Sequence, residues 1–120
     1  MKIIKTYLQG VTVFRPDDER LDTMNSPNLK KEFLIARNAG EKLFLVDLSD
    51  IKYVDSSGLG ALLFGLRQAV ENGGGLALIH AGPRVERLIQ IAQLNQHLIG
   101  YQSEEEALAA LRTKSGKGTN

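Results

Sequence analysis

The stretch Val54-Asp55-Ser56-Ser57-Gly58-Leu59-Gly60-Ala61-Leu62-Leu63 decides how the rest of this chain is arranged. It follows the extended pair Tyr53-Val54 and opens a helix in which Leu59, Leu62, Leu63, Leu66 and Val70 share one face at helical spacing. Gly58 and Gly60 fall in its first two turns and Gly65 follows, although each glycine in a helix costs about 1 kcal/mol relative to alanine. Close approach of another backbone or a bulky group to the helix start would account for them. The free N–H groups at that end favour an anion, and two serine hydroxyls sit beside them. Asp, Ser and Ser ahead of a helix are also what plain N-caps look like, so capping alone is a second explanation.

Working outward, Lys42–Leu48 is apolar on both parities, the mark of a central strand covered on both faces. Leu76–Ile79 reads as another buried strand. Gly73-Gly74-Gly75 ends the helix between them. Ile3–Phe14, broken at Gln9-Gly10, predicts a hairpin of two short strands, and Arg15–Leu21 a polar connection. Ser26-Pro27 predicts a helix start with serine as cap; Leu29, Phe33 and Ala36 follow, and Asn38-Ala39-Gly40 closes it. Gly82-Pro83 opens a third helix with Val85, Leu88, Ile89 and Ala92 inward, and Leu98–Tyr101 is a further short strand. Ser103-Glu104-Glu105-Glu106 is a capping box before a helix carrying Ala107, Leu108 and Leu111. The pattern predicts an α/β fold: an N-terminal hairpin and a mixed central β-sheet with about four helices packed on it. One domain spans residues 1–112, and residues 113–120 form a disordered polar tail.

The totals narrow the function classes. The chain has 15 basic and 14 acidic residues, so neither nucleic acid nor an anionic membrane is expected as partner. It has no cysteine, which excludes disulfides, thiolate chemistry and cysteine-built zinc sites. No apolar run reaches the roughly 18–20 residues of a membrane helix, and Met1–Gln9 is too short and polar for a signal peptide, so the expected location is cytoplasmic. A serine-hydrolase elbow fails because Val54 and Asp55 stand where its first glycine would be. A P-loop fails because no Gly-Lys-Ser/Thr follows the glycines. No catalytic residue, cofactor or metal is expected.

The Val54–Leu63 stretch strongly resembles the signature of STAS domains, in particular bacterial anti-sigma-factor antagonists. The resemblance extends over roughly Met1–Leu111. It includes Leu21-Asp22-Thr23 with Ser26-Pro27, the strand within Leu43–Ser49, Pro83-Arg84-Val85, and Ser103–Leu108. By this resemblance Ser56, the first serine after the aspartate, is phosphorylated by a partner that is both anti-sigma factor and ATP-dependent kinase. The unmodified form binds that partner; phosphorylation ends binding, and a metal-dependent serine phosphatase restores it. The partner-binding residues implied are Asp22, Asp55, Ser57, Gly58 and Gly60. The phosphate would land between Asp55 and Asp22. The Pro16-Asp17-Asp18-Glu19 segment departs from the compact family pattern.

Two further side chains are candidates for partner contact. Phe64 is placed off the leucine stripe, on a flank shared with Gly60, Arg67 and Glu71, and either touches the partner or covers the sheet edge. Arg67 lies on the same flank. His80 ends a strand with no carboxylate paired to it in sequence, and His97 with Gln90, Gln93 and Gln96 reads as a solvated helix flank. The alternative within the same fold is a STAS interaction subunit of a transport or sensory assembly whose serine is never modified. A monomer is expected.

Overall fold

The computed structural model describes residues 1–117. Two strands, β1 (Lys2–Leu8) and β2 (Val11–Asp17), form the expected antiparallel hairpin, with Leu8 opposite Val11. Gln9 and Gly10 both take positive φ, 54° and 82°, the geometry of a two-residue turn that matches strand twist. The polar connection expected over Arg15–Leu21 is shorter than that. β2 continues through Pro16, and β3 (Arg20–Leu21) pairs in parallel with β5 (Tyr53–Val54) as a separate two-stranded sheet. Pro16 is tolerated because β4 (Leu43–Asp47) pairs with β2 only over Thr12–Phe14, leaving β2 with one neighbour beyond that point.

The main sheet has the order β1-β2-β4-β6-β7, where β6 is Gly75–Ile79 and β7 is Gly100–Tyr101. Only β1 with β2 is antiparallel; the other pairings are parallel. The described residues also form four helices: α1 (Ser26–Asn38), α2 (Ser56–Glu71), α3 (Pro83–Ile91) and α4 (Glu104–Lys117). The mixed sheet with four helices is the expected α/β architecture.

Two cores result, one on each sheet face. Phe14, Phe44, Val46, Leu76 and Leu78 meet residues of α1, α2 and α3 on one face. There Phe14, Phe33 and Phe44 form a three-ring cluster with centroids 4.8–5.6 Å apart. On the other face Val11, Val13, Leu45, Ala77 and Ile79 are covered by Ala107, Leu108 and Leu111 of α4. Burial on both faces explains why β4 and β6 read as continuous apolar runs.

Several boundaries differ from expectation. Asn25, not Ser26, is the N-cap of α1; Ser26 is buried as the first helical residue. The Asn25 side chain serves the preceding loop, accepting from Asp22 N–H at 2.8 Å and donating to the Arg20 carbonyl at 2.7 Å. The buried face of α2 is Gly58, Leu59, Ala61, Leu62, Gly65, Gln68 and Ala69, while Val70 is 55% exposed. The helix is thus rotated from the leucine stripe because its small residues let α1 approach: a Cβ on Gly65 would lie 2.5 Å from the Phe33 ring. Ala92, expected inward, is exposed beyond the end of α3. The serine half of the expected capping box forms, with Glu106 N–H donating to Ser103 Oγ at 3.1 Å. The Glu106 carboxylate meets the Ser103 hydroxyl at 3.4 Å. α4 then runs to Lys117, so residues 113–117 of the expected disordered tail are helical, and 118–120 lie outside the described residues.

Candidate functional site

Asp55 organises the start of α2 with both carboxylate oxygens. Its backbone is extended (φ −103°, ψ −173°), as an N-cap requires, and Oδ1 accepts from Gly58 N–H at 2.9 Å. Oδ2 accepts from the backbone N–H and the hydroxyl of Thr23, each at 3.3 Å, which clamps the β3–α1 loop against the helix start. Thr23 Oγ1 also lies 3.0 Å from Ser57 Oγ. Ser57 is therefore tied into the clamp. None of these bonds uses the hydroxyl of Ser56, which is exposed.

Asp22 sits in the clamped loop and is neutralised there. Its Oδ2 accepts from Arg20 Nε at 3.0 Å and its Oδ1 from Met24 N–H at 3.0 Å, while its carbonyl accepts from the N–H groups of Asn25 and Ser26. The hydrogen bond from Arg20 holds the Asp22 carboxyl below the usual carboxylate range, with the Met24 N–H adding to it. Arg20 also stacks on Tyr53, its register partner, with Cζ 4.7 Å from the ring centroid. A depressed folded-state pKa contributes stability above the unfolded value and loses it as pH falls through the folded one, so this hold is lost below the ordinary carboxylate range. Arg20→Gln is expected to move the Asp22 titration upward toward its ordinary position, read by carboxyl-carbon NMR; an unchanged midpoint would show that Arg20 does not set it.

The three glycines of α2 separate into two kinds. A Cβ on Gly58 would overlap the Leu21 carbonyl oxygen and lie 2.8 Å from Val54 Cγ1, so the fold itself demands glycine there. Gly65 is required by Phe33 in the same way. A Cβ on Gly60 would meet nothing within 4 Å. At about 100° per residue, Gly60, Leu63, Arg67 and Val70 lie within about 40° of Ser56 around the helix axis. Ser56, Arg67 and Val70 are exposed, and Gly60 and Leu63 half-buried. Phe64 is on the flank toward α1, half-buried against the core with Lys30 Nζ 5.7 Å from its ring centroid.

Sequence reading missed three contributors. Thr23 acts through Asp55 and Ser57, more than 30 positions away, and Arg20 joins its neighbour Asp22 to the distant Tyr53 ring, links that no local pattern reveals. Met24, next to the clamp, is 87% exposed. His80 also has an unforeseen partner: Nδ1 lies 2.9 Å from Asp47 Oδ1, across the β4–β6 pairing. Gln93, Gln96 and His97 are exposed but follow α3 rather than flank it.

An N-capped, glycine-bearing helix start, clamped to the loop of a two-stranded side sheet on a β-β-α-β-α framework, is the arrangement of a STAS domain. The family model for the STAS domain matches residues 2–107, and the chain belongs to that family. A Thermotoga maritima protein carrying the provisional description anti-sigma factor antagonist is 34% identical over 112 residues, covering 89% of this chain and 95% of that one. The anti-sigma F factor antagonist of Paenibacillus polymyxa is 29% identical over 117 residues, covering 96% and 98%. A Thermotoga maritima crystal structure of the same provisional description superposes with a TM-score of 0.85 at 26% identity, covering 92% and 94%. Among the described residues no helix is long and apolar enough to cross a membrane.

Proposed function

We propose that this protein is an anti-sigma factor antagonist that works by partner switching. Unmodified, it binds an anti-sigma factor that is also a serine kinase; phosphorylated on Ser56, it is released, and a serine phosphatase resets it. The observation that carries this reading is the division of labour between the two serines. Ser57 is engaged by Thr23 within the Asp55 clamp, while among the described residues no hydrogen bond holds the Ser56 hydroxyl on its exposed helix start. The names of the relatives point the same way. The protein acts without catalysis of its own, as a cytoplasmic monomer.

The contact surface is the start of α2 and its outward face, Ser56, Gly60, Leu63 and Arg67. Asp22, Asp55 and Ser57 shape the loop beside it. Gly58 contributes by letting β3 come close, and Phe64 borders the surface. A phosphate adds about −1.5 to −2 charges beside Asp55. The helix N-terminus offsets only about 0.3–1 kcal/mol of that repulsion. Asp22 adds less repulsion than its charge suggests, because Arg20 already balances it. Release therefore follows mainly from charge and bulk presented to a partner surface fitted against the bare Gly60.

Incubation with the cognate kinase and ATP, followed by mass spectrometry, should give one phosphate on Ser56 that Ser56→Ala abolishes. Phosphate on Ser57 alone, or none with an active cognate kinase, overturns the assignment. Ser56→Asp should weaken partner affinity about tenfold or more relative to Ser56→Ala, or ~1.4 kcal/mol; equal affinities by calorimetry would rule out blocking by charge.

A further inference from the structure

The carboxyl ends of β6 and β7 open into a cleft of about 580 Å3 that plays no part in the switch described above. The volume falls within the range of small-molecule sites. The cleft lies where α3 crosses from β6 to β7, beyond the carboxyl ends of these two parallel strands. Its floor is Leu78, Ile89 and Leu98, all members of the main core.

One wall holds a strained residue. His80 has φ 60°, a left-handed conformation that non-glycine residues rarely adopt, directly after the last residue of β6. Its imidazole is fixed by the 2.9 Å contact from Nδ1 to Asp47 of the neighbouring strand. That contact leaves Nε2 as the nitrogen available to a ligand. A strained backbone, an oriented ring and a cleft coincide at a place the switch does not need, which marks it as a site.

The lining selects the ligand. Among the described residues Glu86 is its one carboxylate and neither lysine nor arginine lines it, so phosphate and carboxylate ligands find no permanent cation. Gln90, Asn95 and Gln102 each present a donor beside an acceptor, and Tyr101 adds a ring and a hydroxyl. Paired donors and acceptors match adjacent hydroxyl groups, each of which can give one hydrogen bond while receiving another. We infer that the cleft binds a neutral ligand bearing a vicinal diol, either a free sugar or the ribose of a nucleoside.

The test is a set of separate NMR titrations of the 15N-labelled full chain with glucose, adenosine, 2′,3′-dideoxyadenosine and adenosine monophosphate. Ligands with Kd near 1 mM approach saturation by about 10 mM. Saturable shifts of the amides of residues 80–90 and 95–102 are expected with glucose or adenosine, and whichever binds more tightly names the source. Dideoxyadenosine should not bind, and the monophosphate should bind more weakly than adenosine. Glu86→Ala and Asn95→Ala, both at exposed positions, should each weaken binding about tenfold. His80→Gly relaxes the left-handed backbone and keeps the fold, yet should weaken binding to the same degree. Absence of saturable shifts with both neutral ligands overturns the inference. So does equal binding of dideoxyadenosine, or native affinity in all three variants.

Discussion

Gly58→Ala is expected to destabilise the protein by about 2 kcal/mol, whereas Gly60→Ala, two residues on, should stabilise it by up to about 1 kcal/mol. The two positions share a helix turn and a residue type, so propensity alone predicts the same gain for both. Packing separates them. The Cβ at 58 would collide with the backbone carbonyl of Leu21, which cannot swing aside because it accepts the Asp55 N–H at 3.2 Å and belongs to the β3–β5 pairing. The Cβ at 60 enters open solvent. Denaturant unfolding of the two variants gives the contrast directly, and destabilisation by Gly60→Ala would mean that the fold does need that glycine. The partner assay should also distinguish them. Gly60→Ala, although better folded, should lower affinity for the unmodified-state partner about tenfold or more. Retained affinity would remove Gly60 from the contact surface.

Asp55→Ala should cost about 2–3 kcal/mol, more than the loss of an ordinary helix cap, because the side chain does two jobs. One oxygen caps α2 and the other holds both donors of Thr23. Asp55→Asn provides the control. An amide oxygen can still cap Gly58 N–H, but its NH2 group cannot accept from Thr23, so about half of the loss should return. In NMR spectra Asp55→Ala should broaden or shift the amides of residues 22–25 as well as those of residues 56–58. Perturbation confined to the helix start would show that the clamp contributes nothing to the loop.

The strands of the main sheet were legible because burial on both faces leaves an uninterrupted apolar run, as at Leu43–Val46 and Leu76–Ile79. The serine cap at Ser103 and the helix beginning at Asp55 were legible because capping is local chemistry. The rotation of α2 was not. A leucine-weighted stripe overlooks a face made of glycine and alanine, whose value is the approach they permit rather than the area they bury. The β3–β5 pairing was also hidden, since two-residue strands carry no periodicity. Of the site, Asp55 to Gly60 was recognisable as a helix start with two unexplained glycines. The role of Ser57 depended on Thr23, which the fold brings from 34 positions away, and that of Asp22 on Arg20, a neighbour in sequence whose side chain is set by stacking on the distant Tyr53.

The two sheet faces are completed at different times as the chain is made. The face covered by α1, α2 and α3 closes through crossovers that follow each strand immediately. The opposite face, with Val11, Val13, Leu45, Ala77 and Ile79, is covered among the described residues by the α4 residues Ala107, Leu108 and Leu111, with Leu8 and Tyr101 packed at its margin. During synthesis that apolar surface stays bare until nearly all of the domain has left the ribosome, and it is the surface on which a nascent chain would aggregate or engage a chaperone. Truncation before Ala107 should therefore harm solubility far more than its length suggests, even though every residue of the proposed contact surface would still be present.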